Sequence, residues 1–211
     1  MRNQFIETLT ELAKLNPKIV LVVGDLGYGV IEPFADSFPD RFFNSGVAEQ
    51  NMMGLSAGLA SEGYHVYVYS IANFPIFRCA EQIRNDVCYH NLNVTVVSVG
   101  GGLSYGNLGY SHHAVQDYAF MRTLPNMKIL SPGDPTEVEQ CLEYLDRNPG
   151  PSYLRLGKTG EKRYSNKLSK LSATSLNEIR KDENAKKLII TTGASLQDIM
   201  NIKALDGFCL D

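Results

Sequence analysis

No stretch of the 211-residue chain approaches the roughly eighteen consecutive apolar residues that a membrane span requires, so none is expected. Basic residues are not in excess: 20 Lys and Arg stand against 23 Asp and Glu, a net charge of -3, so no overall positive field invites nucleic acid. Cysteine is sparse. Cys79, Cys88, Cys141 and Cys209 form no C-x-x-C pair and lie in apolar contexts, which suits free thiols in a reducing cytoplasm rather than disulfides or metal ligands. The phosphate-binding fingerprints are missing too. "GDLGYG" follows a strand-like run but lacks the G-x-G-x-x-G spacing, and no G-x-x-x-x-G-K-[ST] occurs. There are no internal repeats or low-complexity tracts. The opening "MRNQFIETLTEL" is amphipathic and carries acids, unlike a signal peptide.

What is present is enough apolar residue, 44%, for a sizeable core, arranged in a regular rhythm. Phe5, Leu9, Leu12 and Leu15 recur at helical spacing until "NPK". "IVLVVGD" (19–25) is a β-branched run suited to a strand buried on both faces. A short helix is expected at 32–38, a helix at 47–62, a strand at 64–71, a helix at 75–91 and a strand at 93–100. A glycine-rich loop at 100–113 follows, then a helix at 115–123, a strand at 128–132, a helix at 135–148 and a strand at 152–156. Strands alternating with helices predict a parallel α/β sheet covered by helices on both faces, with ligands beyond the carboxyl ends of the strands. Residues 1–158 form this domain. Residues 159–186, rich in Lys, Ser, Asn and Glu, read as a linker, and 187–211 begin a new strand–turn–helix. That last piece cannot bury its own faces, so it starts a truncated domain or docks on the main sheet.

Several polar residues fall in the expected strand-end loops. His112 and His113 close the loop "GGGLSYGNLGYSHH", where proton transfer or hydrogen bonding to a polar substrate suits them better than metal binding. His65 opens a strand and His90 closes a helix, positions that suit surface or capping residues. Arg78 and Arg155 lie near strand ends and read either as surface ion-pair residues or as forks for a phosphate or carboxylate. Phe74 and Phe77 read as core or as rings facing a ligand. Glu49, in "FNSGVAEQNMMG", has no Lys or Arg within six positions. It is either a helix-end carboxylate behind a Ser45 N-cap or an acid held in a dry pocket so that it keeps its proton.

"RFFNSGVAEQNMMGLSAGLASEGYHVYVYS", "FRCAEQIRNDVCYHNLNV", "YSHHAVQDYAFMRTLPNMKILSPGDPTEV" and "GPSYLRLGK" resemble, in order, the pyrimidine-binding domain of transketolase-type thiamine-diphosphate enzymes. The likeness is greatest to the C-terminal half of a split transketolase and extends to 1-deoxyxylulose-5-phosphate synthase. It implies that the chain is one subunit of a ketol transferase acting on sugar phosphates. It implies that Glu49 hydrogen-bonds the aminopyrimidine ring of thiamine diphosphate and so promotes loss of the thiazolium C2 proton. It assigns His112 to substrate oxygens, Arg78 and Arg155 to a sugar phosphate, Phe74 and Phe77 to the pyrimidine ring, and Asp25 to the cofactor's neighbourhood at a subunit interface. The absence of cations beside Glu49 in sequence agrees with a carboxyl of raised pKa.

Two departures stand out. The family commonly has an acid four residues before the loop histidine; Leu108 stands there, which points to a modified or unusual sugar. The "GDG…N" pattern that holds the Mg2+ of the cofactor diphosphate is also missing. The resemblance therefore implies a second chain carrying Mg2+ and the diphosphate-binding domain, in a homodimer or heterotetramer. The β subunit of a 2-oxo acid dehydrogenase and a non-catalytic interaction module are the alternative readings.

Overall fold

The computed structural model describes residues 1–166 and 177–202, and the backbone of 208–210. Strands β1 (Ile19–Val23), β2 (Phe42–Asn44), β3 (His65–Ile71), β4 (Val94–Val99), β5 (Lys128–Leu130) and β6 (Ser152–Leu156) form one sheet. Its order is β2-β1-β3-β4-β6-β5, and every neighbouring pair is parallel. The expected parallel α/β class is therefore observed. Parallel neighbours need crossovers, and the helices supply them.

Alternate residues of each strand feed opposite layers. Ile19, Leu21, Val23, Tyr67, Tyr69, Val97 and Leu154 meet α1 (Arg2–Leu15), α2 (Glu32–Ser37) and α7 (Pro135–Arg147). Val20, Val22, Val66, Val68, Val94, Val96 and Tyr153 meet α3 (Glu49–Ser61), the 76–88 segment and α6 (Asp117–Met121). All five residues of β1 and all six of β4 are buried, which is why these strands read as unbroken apolar or β-branched runs. A Leu21→Ala change at such a site costs about 2–5 kcal/mol.

Several expectations are corrected. The helix expected over 75–91 is three pieces: α4 (Asn73–Phe77), a short α5 (Ala80–Gln82) and a π-helical turn Ile83–Cys88. Cys79 leaves helical geometry at φ -113°, ψ 19°, and this break sets Arg78 at the end of α4. Leu15, placed on the buried stripe of α1, is exposed. Ser45 is not an N-cap: its hydroxyl donates to Val23 O, and Ala48 precedes α3 without a side-chain cap. Cys79, Cys88 and Cys141 are buried free thiols, while the side chain of Cys209 lies outside the described residues.

After β6 the described chain keeps contact with the main body. The Met1 amine meets Glu161 at 2.8 Å, and the Asp134 carboxylate, which caps α7, also accepts from Tyr164 N and Ser165 N. Strand β7 (Lys187–Ile189) pairs in parallel with β8 (Phe208–Leu210) as a separate two-stranded sheet. Leu196 of α8 (Ser195–Met200) is buried, and its side chain lies close to Gly133. Gly193 N donates to Ser131 O, so this unit docks beyond β5.

His65 is also corrected. It is a buried residue, not a surface one: its Nε2 lies 2.9 Å from Thr95 Oγ1, which lies 2.8 Å from Ser152 Oγ, and its ring stacks on Tyr67. Burial, with the Lys128 charge nearby, pushes its pKa from 6.5 down to about 3. Between those values the unfolded chain carries a proton that the folded chain refuses, so stability falls as pH drops through this window. Acidification from pH 7.5 to 5 is expected to cost about 2 kcal/mol through this residue. Urea unfolding at the two pH values checks it: His65→Gln should start less stable but lose about 2 kcal/mol less on acidification.

Candidate functional site

Strand order reverses direction at β1, since the chain passes to β2 on one side and returns to β3 on the other. A crevice at the carboxyl ends follows from that reversal. At its β1/β2 wall Asp25 takes a left-handed conformation, φ 55°. Asn44 Oδ1 accepts from Asp25 N and Gly46 N, and Asn44 Nδ2 donates to the Asp25 carboxylate. The Tyr28 hydroxyl, and after it the Asn44 amide, hold the Asp25 carboxyl below its usual range on this exposed rim.

Glu49 opens α3, where the helix dipole favours a carboxylate. It is buried, 8% exposed. Its sequence neighbourhood has no cation, but the fold supplies one: Arg78 Nη1 lies 2.5 Å from Glu49 Oε1. The expectation of an acid without a basic neighbour is therefore overturned. The reason is the break after α4, which presents Arg78 to α3 from 29 residues away. Arg78 remains half exposed. The buried Cys79 thiol beside this pair is pushed up to about 12 by desolvation and then by the Glu49 charge, with Arg78 opposing.

From Arg78 a row of side chains crosses the strand ends. The guanidinium carbon stands 4.4 Å from the Phe74 ring centre. Phe74 meets the His112 ring at 5.1 Å, edge-on. His112 lies 6.0 Å from Tyr105, and the exposed Lys158 ammonium stands 4.9 Å from the Tyr105 ring. His112 ends a 3-10 turn, Tyr110–His112, with its Nδ1 3.0 Å from Ser111 Oγ. Asn73 Nδ2 donates to Ser111 O and ties α4 to the glycine-rich loop. His113 turns back into that loop, its Nε2 2.9 Å from Gly106 O. Phe77, on the same short helix as Phe74, is exposed.

Arg155 is placed differently from the other candidates. Its fork faces inward, onto the fully buried Asp117: Nε to Oδ2 at 2.6 Å and Nη2 to Oδ1 at 3.3 Å. The fold thus brings Glu49, Arg78, Phe74 and His112 together, keeps Asp25 and Phe77 on the rim, and turns Arg155 into the protein. Sequence reading missed Lys158, Tyr105 and Asp117. "LGK" after a predicted strand was a usable signal for Lys158; nothing in "AVQDYAF" announces a partner 38 residues on.

The fold and this polar strand-end row define the class: a doubly wound parallel α/β domain that binds ligands at the carboxyl edge of its sheet. The family description "Transketolase, pyrimidine binding domain" matches residues 1–160, and the chain belongs to that family. It is 41% identical over 157 residues to "Putative transketolase C-terminal section" of Methanocaldococcus jannaschii, covering 74% of this chain and 50% of that protein. It is 39% identical over 158 residues to a subunit of the apulose-4-phosphate transketolase of Phocaeicola vulgatus, covering 74% of this chain and 51% of that one. The chain thus spans about half the length of these curated relatives. Among solved structures, "Split gene transketolase, inactive beta4 tetramer" superposes with a TM-score of 0.83 at 31% identity, over 99% of this chain and 69% of that one.

The Glu49–Arg78 pair is half open to water, so its attraction is screened and its coupling should be modest, about 0.5–1 kcal/mol. A double-mutant cycle in urea with Glu49→Gln, Arg78→Met and both together measures it. A coupling near zero would mean that the pair adds nothing to the fold.

Proposed function

We propose that this chain is the pyrimidine-binding subunit of a two-chain, thiamine-diphosphate-dependent ketol transferase acting on sugar phosphates. The observation that carries this reading is the row from Glu49 through Arg78, Phe74 and His112 to Lys158. It offers a buried carboxyl at one end, aromatic and imidazole faces in the middle, and an exposed ammonium at the other.

The residues fit the cofactor's aminopyrimidine. Glu49 would meet a ring nitrogen, and Phe74 and Phe77 would face the ring, with Asp25 nearby on the rim. Bound thiamine diphosphate supplies an acidic carbon–hydrogen bond and an electron sink. This chain's part is to hold and move a proton at the Glu49 carboxyl, which requires Arg78 to release Glu49 oxygen to the ring. Arg78 then becomes available to a substrate anion, as Lys158 is already. His112 spends Nδ1 on Ser111, which orients the ring and leaves Nε2 for substrate oxygens.

The diphosphate and Mg2+ are assigned to a second chain, because the "GDG…N" pattern is missing from this sequence. Exposed apolar side chains ring the site: Tyr28, Val47, Phe77, Leu103, Leu108 and Tyr110. A patch of this kind at a polar site suits burial against another protein. A homodimer or heterotetramer would supply it, and the solved relative described as a beta4 tetramer supports such assembly. Leu108, 53% exposed where an acid is usual, favours a modified sugar phosphate. The relative whose name specifies apulose 4-phosphate supports the same direction. Among the described residues no helix is long and apolar enough to cross a membrane.

Two measurements test the reading. The chain alone should show no thermal shift with thiamine diphosphate and Mg2+; mixed with a chain carrying the diphosphate-binding domain, it should gain several degrees. A clear shift without the second chain would sink the two-chain reading. In the complex, Glu49→Gln should slow deuterium exchange at the thiazolium C2 by at least about a hundredfold, with little change in melting temperature. Equal exchange rates would return Glu49 to a helix-end carboxylate.

A further inference from the structure

Arg155 sits at a site full of candidate anion ligands, yet its guanidinium is spent elsewhere. Asp117 binds it through two oxygens and is itself fully buried. Tyr153 Oη donates to Asp117 Oδ2 at 2.7 Å, which fixes the carboxylate from the sheet side. Arg155 Nη1 donates to Tyr118 Oη at 3.4 Å. Nη2 also donates to Ala114 O at 3.0 Å.

Ala114 is the hinge of the glycine-rich loop. It pairs with Gly102 across an antiparallel bridge, N to O in both directions at 3.0 and 2.8 Å, and this bridge closes the loop's two ends. His112 lies two residues inside it. The guanidinium also lies flat against Gly101, where an added Cβ would collide with Nε and the guanidinium carbon. Only a residue without a side chain leaves room there.

We propose that Asp117 and Arg155 are a positioning pair: together they clamp the Gly102–Ala114 mouth of the loop and set where His112 points. On this account Arg155 binds no substrate anion. The inference rests on the reading of His112 as a substrate-facing residue, but its structural half does not depend on any activity.

The two halves are tested separately. In the isolated chain, imidazole 15N–1H correlation spectra resolve the four histidines. Asp117→Asn and Gly101→Ala should each shift or broaden the His112 signal while His65, deep in the sheet, stays unchanged. Gly101→Ala displaces the guanidinium sterically without touching the buried acid, so it decides the matter should Asp117→Asn fail to fold. An unmoved His112 signal in a folded variant overturns the proposal, whether or not the chain proves to be a transferase.

In the two-chain complex, Asp117→Asn and Arg155→Met should each lower kcat about ten- to a hundredfold, the cost of a misplaced catalytic group. The loss should be equal for a phosphorylated and an unphosphorylated ketose donor. The double variant should lose no more than either single one. Should Arg155→Met instead raise KM for the phosphorylated donor alone, with Asp117→Asn innocent, Arg155 is a phosphate ligand and the proposal fails.

Discussion

Strands β1 and β4 are hydrogen-bonded on both sides and buried on both faces, so their side chains have no solvent to reach along their length. A working polar group can enter such a sheet only where the strands stop. All the strands run the same way, so their carboxyl ends lie on one edge. There the loops after β1, β2, β3, β4 and β6 place Asp25, Glu49, Arg78, His112 and Lys158 within one band. The topology assembles the site; the loops only choose its chemistry.

Three charged or titratable groups within this frame are handled in three ways. His65 is kept neutral by burial and satisfied by Thr95, at a cost that appears only in acid. Asp117 is buried with its charge and matched by Arg155 and Tyr153, a pairing whose loss of one member strands the other. Glu49 is buried but its partner is half in water, so the pair can open without exposing the acid to bulk solvent. Only the third arrangement is reversible at modest cost, and it is the one at the mouth of the crevice.

Much of this was legible in the residues. Hydrophobic runs located β1, β4 and β6, and the helical spacing of Phe5 and Leu9 located α1. Periodicity failed at 75–91 because an apolar stripe continues across the break at Cys79: Ile76, Ile83 and Val87 are all buried on the same layer although the backbone changes geometry between them. It failed at His65 because a polar side chain at a strand start carries no mark of whether a hydroxyl waits on the next strand. The site was legible as a set of unusual polar residues at strand ends, but not as a set of contacts.

The sequence by itself determined the layered parallel fold, the polar strand-end loops and the family, since these follow from short-range pattern and motif order. Tertiary structure alone decided the partners. Glu49 looked free of cations over six residues on either side, and a broken helix brought Arg78 to it from 29 residues away. Arg155 looked available at a strand end, and a buried acid from 38 residues away claimed it. Charge pairing is set by distance in space, and a strand-end loop can turn a side chain outward to a ligand or inward to a carboxylate with the same local sequence.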